Sequence, residues 1–133
     1  MAAKDWLKPS TWLVLLLGLY MLVNTARVAI DPIGFAAYMG LPLADARDTA
    51  FVFVYALRAA FLGLFALALL WHGDARALAL FATVALVMPI GDAALTALHG
   101  APPLTVARHA ATAILLAITA TLLFNRARTE ASD

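Results

Sequence analysis

Residues Ala77 to Leu98 read ALALFATVALVMPIGDAALTAL, with one charge, Asp92, and one helix breaker, Pro89. A run of about 20 apolar residues crosses a hydrocarbon core of about 30 Å as a helix. Three further stretches have the same character, from about Thr11 to Ile30, Ala50 to Trp71 and Leu104 to Phe124. The later connections are short, His72 to Arg76 and His99 to Pro103, and the second has Gly closing one helix and Pro opening the next. The pattern predicts an all-α fold: one integral membrane domain over residues 1–133, built as a four-helix transmembrane bundle.

Composition agrees. Hydrophobic residues make up 65% of the 133 residues and charged residues 13%, against about 45–50% and about 25% in soluble domains. A water-soluble domain this small has too little interior to hide so much apolar surface. The net charge of +1 gives no basic field for nucleic acid. With no cysteine, disulfides, thiolate metal sites and cysteine nucleophiles are excluded. Nucleotide-binding signatures, nucleophile elbows and Gly-rich phosphate loops are missing, and no motif implies a cofactor.

The first stretch has a rival reading as a secretory signal, with Lys4 and Lys8 ahead of the apolar run. Its end, Asn24-Thr25-Ala26, fits the small-residue cleavage pattern poorly, so it is read as a span. Between spans one and two, Asp31-Pro32 offers an N-cap with Pro at the first helical position, and Gly40 suits a left-handed stop. The residues between are largely apolar, which predicts a short interfacial helix. Asp45 or Asp48 can then start the second span.

Loop cations set the expected orientation. The side of the N-terminus, side one, carries Lys4, Lys8, Arg76, Arg126 and Arg128, whereas side two has Arg47. By the positive-inside rule both termini face the cytoplasm of a multi-pass inner-membrane protein. Trp6, Trp12 and Trp71 fall near side one, as an interfacial aromatic belt would.

Each span carries a polar stripe at helical spacing: Tyr20, Asn24, Arg27 and Asp31; Asp48, Tyr55 and Arg58; Asp92, Thr96 and His99; Thr105, His109 and Thr112. At 1.5 Å per residue, Asp92 and His109 lie about 10 Å inside side two, and Arg58, about 15 Å from Asp48, leans back towards that level. The expectation is that Arg27, Arg58, Asp92 and His109 meet in one layer. An unpaired charge at mid-helix costs about 2.5–3.5 kcal/mol, so Arg27 and Arg58 should balance Asp31 and Asp92. Pro89 pushes against the carbonyl of Ala85 and should kink span three just before Asp92.

At these residues the chain resembles the small four-helix membrane proteins catalogued as domain-of-unknown-function family four-two-six-seven, kin to the DoxX-like families. The resemblance rests on Arg27 with Asp31-Pro32, the Phe35-to-Pro42 segment, and Tyr55-Ala56-Leu57-Arg58 before Gly63. It continues through Met88-Pro89-Ile90-Gly91-Asp92-Ala93 and His109-Ala110-Ala111-Thr112-Ala113. It covers nearly the whole chain and implies a four-helix membrane domain with no assigned biochemical role.

Several functional readings follow. In the first, an intramembrane polar pocket binds a small or lipid-like molecule, apolar or anionic, through Asn24, Arg27, Tyr55, Arg58, Thr96 and Thr112. In the second, Asp92 and His109 act as acid and base in an isomerase or cyclase type of reaction on an apolar substrate from the lipid. In the third, the charges are inert packing contacts of a membrane assembly partner or homo-oligomer. A small proton-coupled transporter comes behind these, since the chain's only Glu is Glu130. A metal site is disfavoured, because no two of His99, His109 and Asp92 stand four apart on one helix. Arg108 is read as snorkelling to headgroups. Ala110, Ala113, Ala117 and Ala120, like Ala56, Ala59, Ala60 and Gly63, are read as close-packing seams. A binding pocket of the usual kind needs about 300 Å³ or more beside Asp92.

Overall fold

A computed structural model describes residues 6–132, which contain helices and turns and no strand. Helix α1 (Pro9–Ile30) starts with Pro at its first position and ends where Asp31 leaves helical geometry. Asp31 caps α2 (Pro32–Tyr38) by accepting from the Gly34 amide at 2.8 Å. Gly40, at φ 86°, ends that helix: the Leu41 amide donates back to Ala36 O and the Gly40 amide to Ala37 O. That double bond is the Schellman stop. A Cβ at Gly40 would stand 2.7 Å from the Thr105 methyl, so the turn packs against the start of the last span.

A 3-10 turn (Ala46–Asp48), capped by Asp45, leads into α3 (Thr49–His72). Span three is two helices, α4 (Ala75–Ala85) and α5 (Val87–Leu98). The break falls at Leu86, whose amide donates to Thr83 O at 3.3 Å, one turn before Pro89. Pro89 has no amide hydrogen for Ala85 O, and its ring crowds that carbonyl. The disruption is therefore felt a turn upstream of the proline, not beside Asp92. The last helix, α6 (Pro103–Glu130), runs well past Phe124.

Four helical segments are long and apolar enough to cross a membrane: Pro9–Ile30, Ala46–His72, Ala75–Leu98 and Pro103–Glu130. Large apolar side chains such as Leu16, Phe61, Val84 and Ile114 stand exposed along all four, a surface suited to acyl chains. The chain is a multi-pass membrane protein.

The spans assemble as two pairs, α1 on α3 and α4–α5 on α6, which meet chiefly where α1 touches α6 and α3 touches α4. Small residues set the first pair's spacing, since a Cβ on Gly63 would lie 2.8 Å from the carbonyl oxygen of Gly18. Ala56, Ala59 and Gly63 are buried along this seam. The seam expected on α6 is rotated. Ala110 and Ala117 are exposed, while Thr105, His109, Thr119, Ala120, Leu123 and Arg126 are buried. The helix turns its hydroxyls and imidazole inward and leaves half of those alanines to lipid.

Two apolar cores result. One, towards side one, joins both pairs through Val14, Leu70, Leu78, Ala82 and Leu123. The other, at side two, gathers Val28, Phe35, Ala36, Val52 and Ala56 beneath α2.

Candidate functional site

Between the helix pairs runs a narrow cavity of about 100 Å³. Its side-two end is polar, with Tyr20 from α1, Tyr55 from α3, Asp92 from α5, and His109 and Thr112 from α6. Beyond it the wall is apolar except for Thr119, whose hydroxyl donates to Leu115 O, and continues past Leu62, Phe81 and Leu116 towards Leu123. The volume is below the 300 Å³ or so of an ordinary ligand pocket, so a bulky ligand does not fit this conformation.

Asp92 and His109 meet as the stripes predict. The imidazole Nδ1 lies 4.0 Å from Asp92 Oδ2, with the His109 side chain buried and that of Asp92 about one-third exposed. Nε2 is 3.3 Å from Met39 O. A carbonyl only accepts, so Nε2 carries a hydrogen there, and Nδ1 is the nitrogen that turns to the carboxylate. The pair attracts when one proton lies in it, either as imidazolium facing carboxylate or as neutral imidazole facing a carboxylic acid.

The two arginines expected in the same layer are elsewhere. Arg27 is exposed, and its guanidinium carbon lies 3.9 Å from the ring centre of Tyr38 and 5.8 Å from that of Phe35. Arg58 is exposed on the outer surface of α3. The reason is helical phase. A three-residue step falls 60° short of a full turn at 3.6 residues per turn, so Asn24 is buried while Arg27 is not, and Tyr55 reaches the cavity while Arg58 does not. Asp31, expected to balance these cations, is engaged as the α2 cap.

The remaining candidates divide. Thr112 lines the cavity, its hydroxyl donating to Arg108 O at 3.0 Å. Thr96 is buried but turns back on its own helix, 2.7 Å from Asp92 O. Asn24, 1% exposed, lies one turn beyond Tyr20, and neither of its amide atoms has a partner. Such a buried, unmet group costs about 1–3 kcal/mol. His99 is exposed and hydrogen-bonds Leu95 O of its own helix. Among the described residues no group of three His, Asp or Glu is placed to hold a metal ion.

Tyr38 and Arg108 form a clasp that the sequence reading missed. The Arg108 guanidinium lies 4.0 Å from the Tyr38 ring centre, and its Nη2 donates to Tyr38 O. With His109 on Met39, the first turns of α6 hold the end of α2 over the polar end of the cavity. Arg108 is thus an internal tether, not a headgroup anchor. Burial pushes the Tyr38 phenol up, but Arg27 and Arg108 together outweigh it and hold the hydroxyl below the ordinary tyrosine range. Tyr38 in a run of otherwise small and apolar residues was the available signal.

A second polar group lies at side one. Glu130 Oε1 accepts from Lys8 Nζ at 2.8 Å and from Arg126 Nε at 2.7 Å, and Arg126 also reaches Thr11 Oγ1 at 3.5 Å. Arg126 is 8% exposed. The four-residue spacing of Arg126 and Glu130 is a helical pair, readable once the last helix is allowed past Phe124.

A family model described as a domain of unknown function, DUF4267, matches residues 11–123, from the first turn of α1 to near the end of α6. The chain belongs to this family. The DUF4267 match takes in Asp92, His109, Tyr38, Arg27 and Arg108, and ends short of Lys8, Arg126 and Glu130. It makes no link to DoxX-like proteins. No curated protein and no solved structure matches the chain.

Proposed function

We propose that this DUF4267 protein binds a slender amphipathic molecule in the cavity between its helix pairs. The ligand's polar end would meet Asp92 and His109, and a single apolar chain would run towards side one. One observation carries the reading: a part-exposed carboxylate and a buried imidazole close one end of a largely apolar cavity. An inert packing contact would be closed and fully paired, whereas this pair stands at 4.0 Å. Tyr55 and Thr112 offer hydroxyls at the same end, and a polar ligand group reaching one turn past Tyr20 would meet the unpaired amide of Asn24. Arg27 would act at the rim, through Tyr38. The protein would lie in the inner membrane with both termini cytoplasmic, so that the polar end opens in the outer half of the bilayer.

A second reading follows from the same pair. With Nε2 engaged on Met39 O, Nδ1 and Asp92 can pass one proton, which is what acid–base rearrangement of an apolar substrate requires. In either reading the experiment is mass spectrometry of small molecules that copurify in mild detergent. The wild-type protein should carry a lipid-like or small amphipathic compound, and Asp92→Asn should lose at least nine-tenths of it while remaining folded. Equal occupancy in both proteins, or none in either across several lipid backgrounds, would overturn the proposal.

A further inference from the structure

The outer face of α3 is apolar at Phe51, Val54, Leu57, Phe61 and Leu64, at steps of three and four, and Arg58 interrupts it. Among the described residues Arg58 has no hydrogen-bond or ion-pair partner. It stands about 15 Å along the axis from Asp48, deep enough to carry the insertion penalty of a mid-span cation. With Leu57, Phe61, Leu62 and Met88 it lines an open depression of about 410 Å³ between α3 and α5. Leu62 and Met88 also line the inner cavity, so they form the partition between the two spaces.

The order of these groups along the membrane normal is informative. Helix α3 starts at side two, and its side chains lean towards its N-terminus. The guanidinium therefore points towards the side-two headgroups, while Phe61 and Leu62 lie one turn deeper. A cation at the shallow end of an apolar trough has the polarity sequence of a phospholipid, phosphate first and acyl chain below. Snorkelling of the arginine and local thinning of the bilayer bring the two charges together. A second copy of the chain is a poorer occupant. The mid-span carboxylate it could offer is Asp92, which lines the inner cavity beside His109.

We propose that Arg58 and this depression hold one phospholipid of the side-two leaflet, separate from any occupant of the inner cavity. Its phosphate would rest on the guanidinium and one acyl chain would lie over Phe61, Leu62 and Met88. A net-anionic headgroup suits the site better than a zwitterionic one, whose ammonium offsets the attraction. Native mass spectrometry of the full chain, titrated with phosphatidylglycerol or phosphatidylcholine, tests it. The wild-type protein should bind phosphatidylglycerol at least fivefold more tightly. Arg58→Lys, which keeps the charge, should retain most of that preference, and Arg58→Leu should reduce it to under twofold. An unchanged preference in Arg58→Leu would overturn the proposal, as would its loss in both variants, which marks a change of shape and not of charge. Light scattering in nanodiscs that finds a wild-type dimer reduced to monomer by Arg58→Leu would overturn it too, by showing a second copy on this face.

Discussion

The two ends of the bundle treat charge differently. At side one, Glu130 holds Lys8 and Arg126 at 2.8 and 2.7 Å, near an apolar core in which Val14, Leu78 and Leu123 also wall the far end of the cavity and Leu70 stands behind them. At side two, the carboxylate and imidazole stand 4.0 Å apart, two guanidiniums lie against one tyrosine ring, and a buried asparagine has no partner. Polar groups that fix a fold are drawn to short, complementary contacts. Groups kept for a ligand are left partly unmet, at some cost in stability. In the proposed reading, the contrast makes side one the structural end and side two the binding end.

Four substitutions test that division. Leu70→Ala, in the side-one core and away from the cavity wall, should cost roughly 2–5 kcal/mol. Its denaturation midpoint in detergent should fall the furthest, with ligand copurification kept by the folded fraction. Glu130→Gln removes the carboxylate that Lys8 and the buried Arg126 share and should cost roughly 1.5–3 kcal/mol, again with the ligand retained. Loss of ligand without loss of stability in either variant would break the comparison.

Tyr38→Ala removes both cation–π contacts and should cost roughly 1–2 kcal/mol. The phenol itself gives a pH signature. The guanidiniums depress its folded-state pKa below the unfolded value of about 10. Its ionisation therefore adds stability that is fully present above the unfolded value and lost as pH falls through the folded one. Phenolate absorbance, read as wild-type minus Tyr38→Phe, should rise below the ordinary tyrosine range, and the wild-type protein should gain stability over Tyr38→Phe across that same alkaline window. Asp92→Asn should have the smallest effect on stability, within about 1 kcal/mol, and the largest on ligand occupancy. Comparable destabilisation by Asp92→Asn and Glu130→Gln would mean that both ends are structural.

Much of this arrangement is legible in the residues alone. Length and apolarity specify four spans, Asp31-Pro32 and Gly40 specify the short helix between the first two, and the polar stripes of spans three and four put Asp92 and His109 at one depth, where they meet. The misplacements share a cause. Arg27 and Arg58 follow inward residues by three, and the lost 60° carries each out of the layer. Arg108 becomes a tether only because α2 folds back over the bundle, a tertiary event that no local pattern announces. The Arg126–Glu130 pair is hidden by treating the end of the hydrophobic run as the end of the helix.

The divided third span has a mechanical consequence. Its side-one half, α4, carries Leu78, Ala79 and Ala82 of the main core, whereas the side-two half, α5, leans chiefly on α6. The carboxylate thus rides on a short rod that the break at Leu86 separates from α4 and that packs chiefly on α6. On the proposed reading, substitutions within these twelve residues would reshape the space beside Asp92 while the α4 part of the main core keeps its side chains.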